Sequence, residues 1–336
     1  MDAIVLQDMV LGVLFFFQFI SGFVGNSLLI LININTFLQK AKPIDWIFIH
    51  LTLANMMTVL FAGIPELIFF FGIRNFLNDT GCKAVLFLYR VGRGLSLCTT
   101  SFLSVFQAIV ITNKHAQWAW LKSNIYTCIS SALLCFWVLN MLIYIRVIIG
   151  VKAPFNISGI EGVYNQKYCI AHYSDITGAS AFQGGMILRD FLCILLMIWT
   201  SVHMVKFLFN HRKNVQHILS HSLCPQSSLE IKVTHTILVQ VSCFVFFYWI
   251  NCCLTIYVTF SPVIQGLENI TVFISSCYPV ICPFLIIKNH RGPFLNCTFV
   301  KMRKSPQITA TRDLNYSHTS CDTKCSGQKI PSAKVK

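Results

Sequence analysis

The feature that most constrains the fold of this chain is a series of long stretches without Asp, Glu, Lys or Arg. A helix that crosses a bilayer needs about 20 mostly apolar residues, because no water inside the bilayer can bond to its backbone. The shortest stretch, 191–205, extends naturally to about 185–209. The third, 94–113, is expected to begin earlier, near Cys82. The sequence therefore predicts seven transmembrane helices, which cover the stretches 9–39, 46–65, 94–113, 123–145, 191–205, 233–267 and 269–287.

The composition of the chain excludes two broad classes of protein. Only 11% of the 336 residues are charged and 55% are hydrophobic, whereas roughly a quarter of the residues of an average soluble domain are charged. Such a chain cannot cover a water-facing surface, which excludes an ordinary soluble enzyme and a disordered protein. The first stretch is expected to be retained, because it follows Asp2 and Asp8 and exceeds the ~7–15 apolar residues of a signal peptide.

The charge distribution predicts the orientation in the membrane. Of the 26 basic residues, 18 fall in segments that an outside N-terminus places in the cytoplasm, against 4 of the 12 acidic residues. These segments carry the whole net charge of +14, as the excess of Lys and Arg in cytoplasmic loops requires. The predicted fold class is an all-α membrane protein, a seven-transmembrane helix bundle with the N-terminus outside and the C-terminus in the cytoplasm. Residues 1–295 form this bundle domain, and residues 296–336 form a disordered basic tail.

Two cysteines and one asparagine stand out on the predicted outer side. Most of the 15 cysteines lie inside spans, where they are interpreted as small buried apolar residues. Cys82 and Cys169 lie on the oxidising outer side, where a disulfide would tie the loop between spans four and five across the helix mouth. In the same loop, Asn156 opens the sequence Asn-Ile-Ser, which matches the acceptor pattern for glycosylation.

Charged residues inside the spans are costly and often mark function. Arg90 and Arg93 are one helical turn apart and can face one side of span three. We interpret them, with Tyr248 and Trp249 of span six, as lining a ligand cavity open to the outside. The alternatives are structural ion pairs that brace the bundle, and a lipid-facing position for the aromatic pair. The acidic and basic residues of the outer halves of the spans are Glu66, Arg90, Arg93, Arg189, Asp190 and Glu268.

The inner loops predict a docking surface for a cytoplasmic partner, because their basic residues would lie next to the membrane. No nucleophile–base pair, metal cluster or phosphate-binding loop stands out, so we expect neither an enzyme nor a cofactor or metal. No fold signal indicates nucleic acid, and the lipid bilayer is the expected surrounding. The residues predicted to face the partner are Lys114, Lys122, Arg212, Lys213 and Lys232.

Longer motifs make the sequence similar to a known family. Span three reads Tyr-Arg-Val-Gly-Arg-Gly-Leu-Ser-Leu-Cys-Thr-Thr over 89–100, and span seven reads Cys-Tyr-Pro over 277–279. The outer loop reads Phe-Asn-Ile-Ser-Gly-Ile-Glu-Gly-Val-Tyr over 155–164 and Tyr-Cys-Ile-Ala-His-Tyr-Ser-Asp over 168–175. In this order, over about residues 10–295, these motifs closely resemble those of the vomeronasal type 1 receptors.

The resemblance implies a G-protein-coupled receptor for a small pheromone-like ligand in the plasma membrane of vomeronasal sensory neurons. It implies coupling to a heterotrimeric G protein of the inhibitory type, a disulfide between Cys82 and Cys169, and a glycan on Asn156. A bitter-taste-like receptor would share the architecture, and a transporter or channel is a further alternative. The paired Arg90 and Arg93 lead us to expect an anionic ligand.

Overall fold

Each predicted apolar stretch is helical over its described residues in the computed structural model. The helices are α1 (Asp2–Lys40), α2 (Pro43–Phe70), α3 (Asp79–Thr112), α4 (Ile125–Gly150), α5 (Ile176–Ile218), α6 (Val241–Leu254) and α7 (Leu267–His290). The structure describes residues 2–40, 43–73, 76–112, 125–153, 164–166, 168–171, 176–218, 238–239, 241–254, 257 and 267–290. All of them belong to one structural unit, Met1–Gly292.

Six of the described helices, α1 to α5 and α7, are long and apolar enough to cross a membrane. The described part of α6 is apolar and shorter. The flanks of the predicted sixth stretch, 233–240 and 255–266, lie largely outside the described residues. The prediction of a helical membrane protein is therefore confirmed, and the count of seven spans and the orientation stay predictions.

The outer surface of the bundle is apolar, as the composition requires. Leu31, Leu142 and Trp199 are 66%, 62% and 74% exposed. Water would disfavour so continuous an apolar surface, whereas hydrocarbon accepts it. The interior holds one apolar cluster around Leu51, with members on α1 to α7, and a second around Tyr144 close to the outer loop.

Buried asparagines join neighbouring helices, as polar groups in membrane bundles commonly do. Asn26 of α1 donates to the carbonyl of Pro279 in α7 at 3.0 Å. Asn55 of α2 accepts a hydrogen bond from Ser96 of α3 at 2.7 Å. The helices also approach closely where side chains are small: a Cβ atom on Gly25 would lie 3.0 Å from the Phe284 ring.

The loop between α4 and α5 contains a small antiparallel sheet that the sequence pattern did not predict. Its strands are β1 (Val151–Lys152), β2 (Tyr164–Gln166) and β3 (Cys169–Ala171), in the order β1-β3-β2. Val151 pairs with Ala171, and Gln166 pairs with Cys169. Strands of two or three residues are too short to show an alternating pattern of apolar residues.

Two contacts tie this sheet to the first turn of α3. Cys169 of β3 forms a disulfide with Cys82, with 5.7 Å between their Cα atoms, which is the pair that the family resemblance implies. The backbone N–H of Ala153 donates to Asp79 Oδ1 at 2.6 Å. The loop is thereby held at the end of α3 that leads to the polar residues described next.

Candidate functional site

A small cavity lies between α2, α3, α6 and α7. Its volume is about 20 Å³, which is room for about one water-sized molecule. Aromatic and aliphatic groups form most of its wall, and one charged side chain, Arg93, reaches it from α3. The lining residues are Thr58, Arg93, Ser96, Phe244, Phe247, Tyr248, Asn251, Ile274, Ser275, Tyr278 and Pro279.

Arg93 is held in this wall by two residues of α6. Its guanidinium carbon lies 5.1 Å from the centre of the Tyr248 ring, a cation–π contact. The Asn251 amide is oriented so that its oxygen accepts from Arg93 Nη2 at 2.5 Å and its nitrogen donates to the carbonyl of Thr271 at 3.2 Å. This orientation is the one in which both amide atoms have a suitable partner. Arg93 therefore joins α3 to α6 and, through Asn251, to α7.

A partly buried ion pair lies next to this site on α5. Arg189 Nη2 is 2.6 Å from Asp190 Oδ1, and the side chains are 12% and 17% exposed. Arg189 also donates to Asn140 Oδ1 at 2.9 Å and to the Tyr144 hydroxyl at 2.8 Å, both on α4. Gly94 of α3 permits this arrangement, because a Cβ atom there would collide with the Asn140 amide oxygen.

Tyr248 connects the ion pair to Arg93. Its hydroxyl donates to Asp190 Oδ2 while its ring faces the Arg93 guanidinium. The result is a continuous group, Arg93–Tyr248–Asp190–Arg189, which we call the polar network. It links α3, α6 and α5, and it contains two guanidinium groups and one carboxylate, which is paired with Arg189. This excess of positive charge in a poorly solvated place favours an anionic group nearby.

Hydroxyl pairs link α3 to α7 on either side of Arg93. The hydroxyls of Tyr89 and Ser275 are 3.0 Å apart, and those of Thr100 and Tyr278 are 3.1 Å apart. These pairs hold the α7 wall of the cavity against α3. The separation of α7 from α3 would therefore break one buried and one partly buried hydrogen bond.

The structure brings together four of the residues that the sequence predicts: Arg93, Arg189, Asp190 and Tyr248. Glu66 is buried in α2, and Arg90 is partly buried in α3. Neither is among the residues that line the described cavity. Glu268 is the second residue of α7, and its side chain lies outside the described residues.

The prediction that Trp249 faces the pocket is wrong. Its side chain is 61% exposed on the outer surface of the bundle, whereas Tyr248 is 7% exposed. Consecutive residues of an α-helix point about 100° apart, because a turn contains 3.6 residues. The inward position of Tyr248 therefore turns Trp249 outward.

Asn251 and Tyr144 also belong to this site, and neither was predicted from the sequence. A signal for Asn251 was present, since it is a polar residue in a charge-free stretch and lies three residues after Tyr248, on the same face of α6. Tyr144 carries no comparable signal, because its role depends on how α4 packs against α5.

The remaining predicted residues have side chains outside the described part of the chain. Asn156, Lys114, Lys122 and Lys232 lie outside the described residues. Arg212 and Lys213 belong to the last turns of α5, and their side chains also lie outside what is described.

Comparison with known proteins agrees with the motifs. Residues 9–294 match the model of the vomeronasal organ pheromone receptor family. The chain is 34% identical over 299 residues to vomeronasal type-1 receptor 1 of Homo sapiens, covering 88% of this chain and 84% of that protein. It is 33% identical over 274 residues to human vomeronasal type-1 receptor 2, covering 81% and 69%. It is also 30% identical over 284 residues to olfactory receptor class A-like protein 1 of Danio rerio, covering 83% and 89%. Since the family match spans most of the chain and the identity to these receptors reaches 34%, the chain belongs to the vomeronasal type 1 receptor family.

Proposed function

We propose that this chemosensory receptor binds a small ligand in the cavity beside Arg93 and, in response, activates a heterotrimeric G protein of the inhibitory type. The observation that carries the proposal is the polar network, in which Arg93, Tyr248, Asp190 and Arg189 meet at the cavity wall. Charged groups buried within a membrane bundle are costly, and they are usually retained for function. A network that only braced the bundle would not need to border a cavity.

The charge of the network favours a ligand with an anionic group. Arg93 is the charged side chain that lines the cavity, and its described contacts are an aromatic face and a neutral amide. A ligand carboxylate or sulfate could accept hydrogen bonds from the remaining N–H groups of this guanidinium. The apolar wall formed by Phe244, Phe247 and Ile274 would receive the body of the ligand.

Binding of such a ligand would require a change in the bundle. The cavity has room for about one water molecule. A larger ligand would therefore bind better to a conformation of the bundle in which α6 has moved away from α3. A ligand shifts a conformational equilibrium by its difference in affinity for the two states. Because Tyr248 and Asn251 tie α6 to the network, a ligand at Arg93 would bias the position of α6.

The remaining parts of the proposal concern topology and partners. We propose seven spans with the N-terminus outside, location in the plasma membrane of vomeronasal neurons, and a glycan on Asn156. We also propose that residues 1–295 form the receptor domain and that 296–336 form a disordered basic tail. The G protein would contact the basic residues of the inner loops. The support is the excess of Lys and Arg in those loops, which follows the rule for cytoplasmic segments.

The test is expression with an inhibitory-type G protein and a panel of paired small molecules. Each pair shares one apolar body and differs in carrying an anionic group or a neutral polar group. We expect ligand-dependent nucleotide exchange that is stronger for the anionic member. Ion flux without any G protein would favour a channel or transporter instead. The absence of exchange for every compound, with receptor present at the cell surface, would contradict the proposal.

A further inference from the structure

Two cysteine side chains meet between α3 and α5, beside the polar network. The thiols of Cys98 and Cys193 are in hydrogen-bond contact with each other, and neither belongs to a disulfide. Cys98 is 4% exposed, and Cys193 is partly buried. The interpretation of span cysteines as small apolar residues gives no reason for two thiols to face each other. We call Cys98 and Cys193 the thiol pair.

Hydrogen bonds between short side chains show that α3 and α5 pack closely at the thiol pair. The hydroxyl of Ser101, one turn after Cys98, donates to the backbone carbonyl of Cys193 at 3.3 Å. Further along the two helices, the hydroxyls of Ser104 and Thr200 are 2.6 Å apart. Because these side chains are short, the bonds require the two backbones to approach each other. A disulfide needs the same approach, since its Cα atoms are usually about 4.4–6.8 Å apart.

The thiol pair is also attached to the polar network. The Asn140 amide donates to Cys98 Sγ at 3.7 Å, and its oxygen accepts from Arg189 Nη1 at 2.9 Å. Arg189 precedes Cys193 by four residues, which places both on one face of α5. A covalent bond between the thiols would therefore fix α3 to α5 next to Asn140. These two helices carry Arg93, Arg189 and Asp190, which are three of the four members of the network.

Two adjacent thiols suit either a disulfide or a soft metal ion. A structural metal site usually has four ligands. Among the residues that the structure describes, no group of three or more His, Cys, Asp or Glu side chains is placed to hold a metal. The disulfide is therefore the product that the geometry favours.

We propose that the thiol pair is a site of reversible oxidation, at which hydrogen peroxide converts Cys98 and Cys193 into a disulfide that joins α3 to α5. Hydrogen peroxide is uncharged and only slightly larger than water, so it suits a pair that lies largely inside an apolar bundle. A small thiol would return the pair to its reduced form by exchange. The proposal goes beyond the proposed function and does not rest on it, because it concerns a modification of two helices and no ligand or G protein.

The reaction proceeds in two steps whose atoms and electrons balance. Cys193 reacts first, because it is the less buried thiol: its sulfur attacks one peroxide oxygen, the O–O bond breaks, and the departing hydroxide takes the thiol proton and leaves as water. The product is a sulfenic acid, which condenses with a neighbouring thiol. Cys98 attacks this sulfur, the S–S bond forms, the S–O bond breaks, and the oxygen leaves as a second water with the Cys98 proton. The two thiols together give two electrons to one peroxide.

The experiment identifies the bond in the full-length receptor. Membranes that contain the receptor are treated with hydrogen peroxide, and the remaining thiols are blocked with N-ethylmaleimide before the protein is unfolded. Trypsin cuts after lysine and arginine, so it releases the fragments 94–114 and 190–206, each of which contains one cysteine. Mass spectrometry without a reductant then detects these two fragments as a linked pair, which only a bond between Cys98 and Cys193 produces. We expect this linked pair to be the main product of either thiol, and to disappear after treatment with a small thiol.

Three variants provide the controls. Cys98→Ser and Cys193→Ser should each abolish the linked pair. In Cys98→Ser the sulfenic acid of Cys193 should persist, and a sulfenic-acid probe such as dimedone should trap it. Cys277→Ser is the matched control, because it removes a part-buried thiol of α7 whose contacts, at 3.4 Å, are with Gln18 and the carbonyl of Phe273. This variant should form the linked pair as the wild type does.

The wild type itself carries the test, so a variant that fails to fold does not remove it. Peroxide treatment that leaves the fragments 94–114 and 190–206 unlinked in the folded wild type would overturn the proposal. Linkage of Cys98 to several other cysteines in amounts similar to its linkage to Cys193 would also overturn it, because the contact between the two thiols would then not select the product. Both outcomes are independent of G-protein activation, so they leave the proposed function unaffected.

Discussion

Replacing Tyr248 with phenylalanine should raise the activity of the receptor in the absence of ligand. The Tyr248 hydroxyl donates to Asp190 and thereby ties α6 to α5. Phenylalanine removes that hydroxyl and keeps the ring, which lies over Arg93 at 5.1 Å. Asp190 Oδ1 keeps the hydrogen bonds from Arg189 at 2.6 and 2.9 Å, so the carboxylate stays paired while Oδ2 loses the bond from Tyr248. The change is therefore confined to one contact between α6 and its neighbours.

The magnitude follows from the charged acceptor of this hydrogen bond. A hydrogen bond to a charged group contributes about 1.5–3 kcal/mol, and about 1.4 kcal/mol corresponds to a factor of ten in an equilibrium constant. We call the receptor closed when α6 is bonded to α5 through Tyr248, and open when α6 has moved away. If the Tyr248–Asp190 hydrogen bond forms only in the closed state, its loss multiplies the open-to-closed ratio by about 10 to 150. A receptor that is open about 1% of the time would then be open about 10% of the time at the lower limit.

The assay is nucleotide exchange on an inhibitory-type G protein in membranes without ligand, normalised to the amount of receptor at the surface. Tyr144→Phe is the matched control, because it removes a hydroxyl that Arg189 contacts at 2.8 Å between α4 and α5 and leaves α6 untouched. We expect the basal rate of this control to stay close to that of the wild type. An unchanged basal rate in Tyr248→Phe, or an equal rise in Tyr144→Phe, would refute the role assigned to α6.

Three further predictions use the same expression system. Serine in place of Cys82 or Cys169 should lower the free energy of unfolding by about 2–5 kcal/mol, seen as a lower thermal midpoint; a double variant much less stable than either single one would contradict a shared bond. Arg93→Ala should abolish the preference for anionic ligands and Arg90→Ala should keep it, as dose–response curves will show, because Arg93 lines the cavity and Arg90 does not. Trp249→Ala should leave the ligand response unchanged, since this side chain faces away from the bundle; a loss of response with normal surface expression would contradict that position.

The helices could be predicted because each one satisfies its own backbone and needs only a long apolar stretch. Cys82, Cys169 and the polar residues within the spans were also visible in the sequence, since they depart from an apolar background. The partners of these polar residues were less visible. The charges suggested an acidic partner for Arg93, whereas its described contacts are the Tyr248 ring and the Asn251 amide.

The sequence by itself determined the class of protein, the positions of the apolar helices and the excess of positive charge in the predicted inner loops. These properties depend on local composition, which the bilayer selects directly. Only the tertiary structure decided that Tyr248 faces inward and Trp249 outward, that Arg189 holds Asp190, and that the thiols of Cys98 and Cys193 meet. The physical reason is that these outcomes depend on the rotation of each helix about its axis. That rotation is set by packing against neighbours that are distant in the chain.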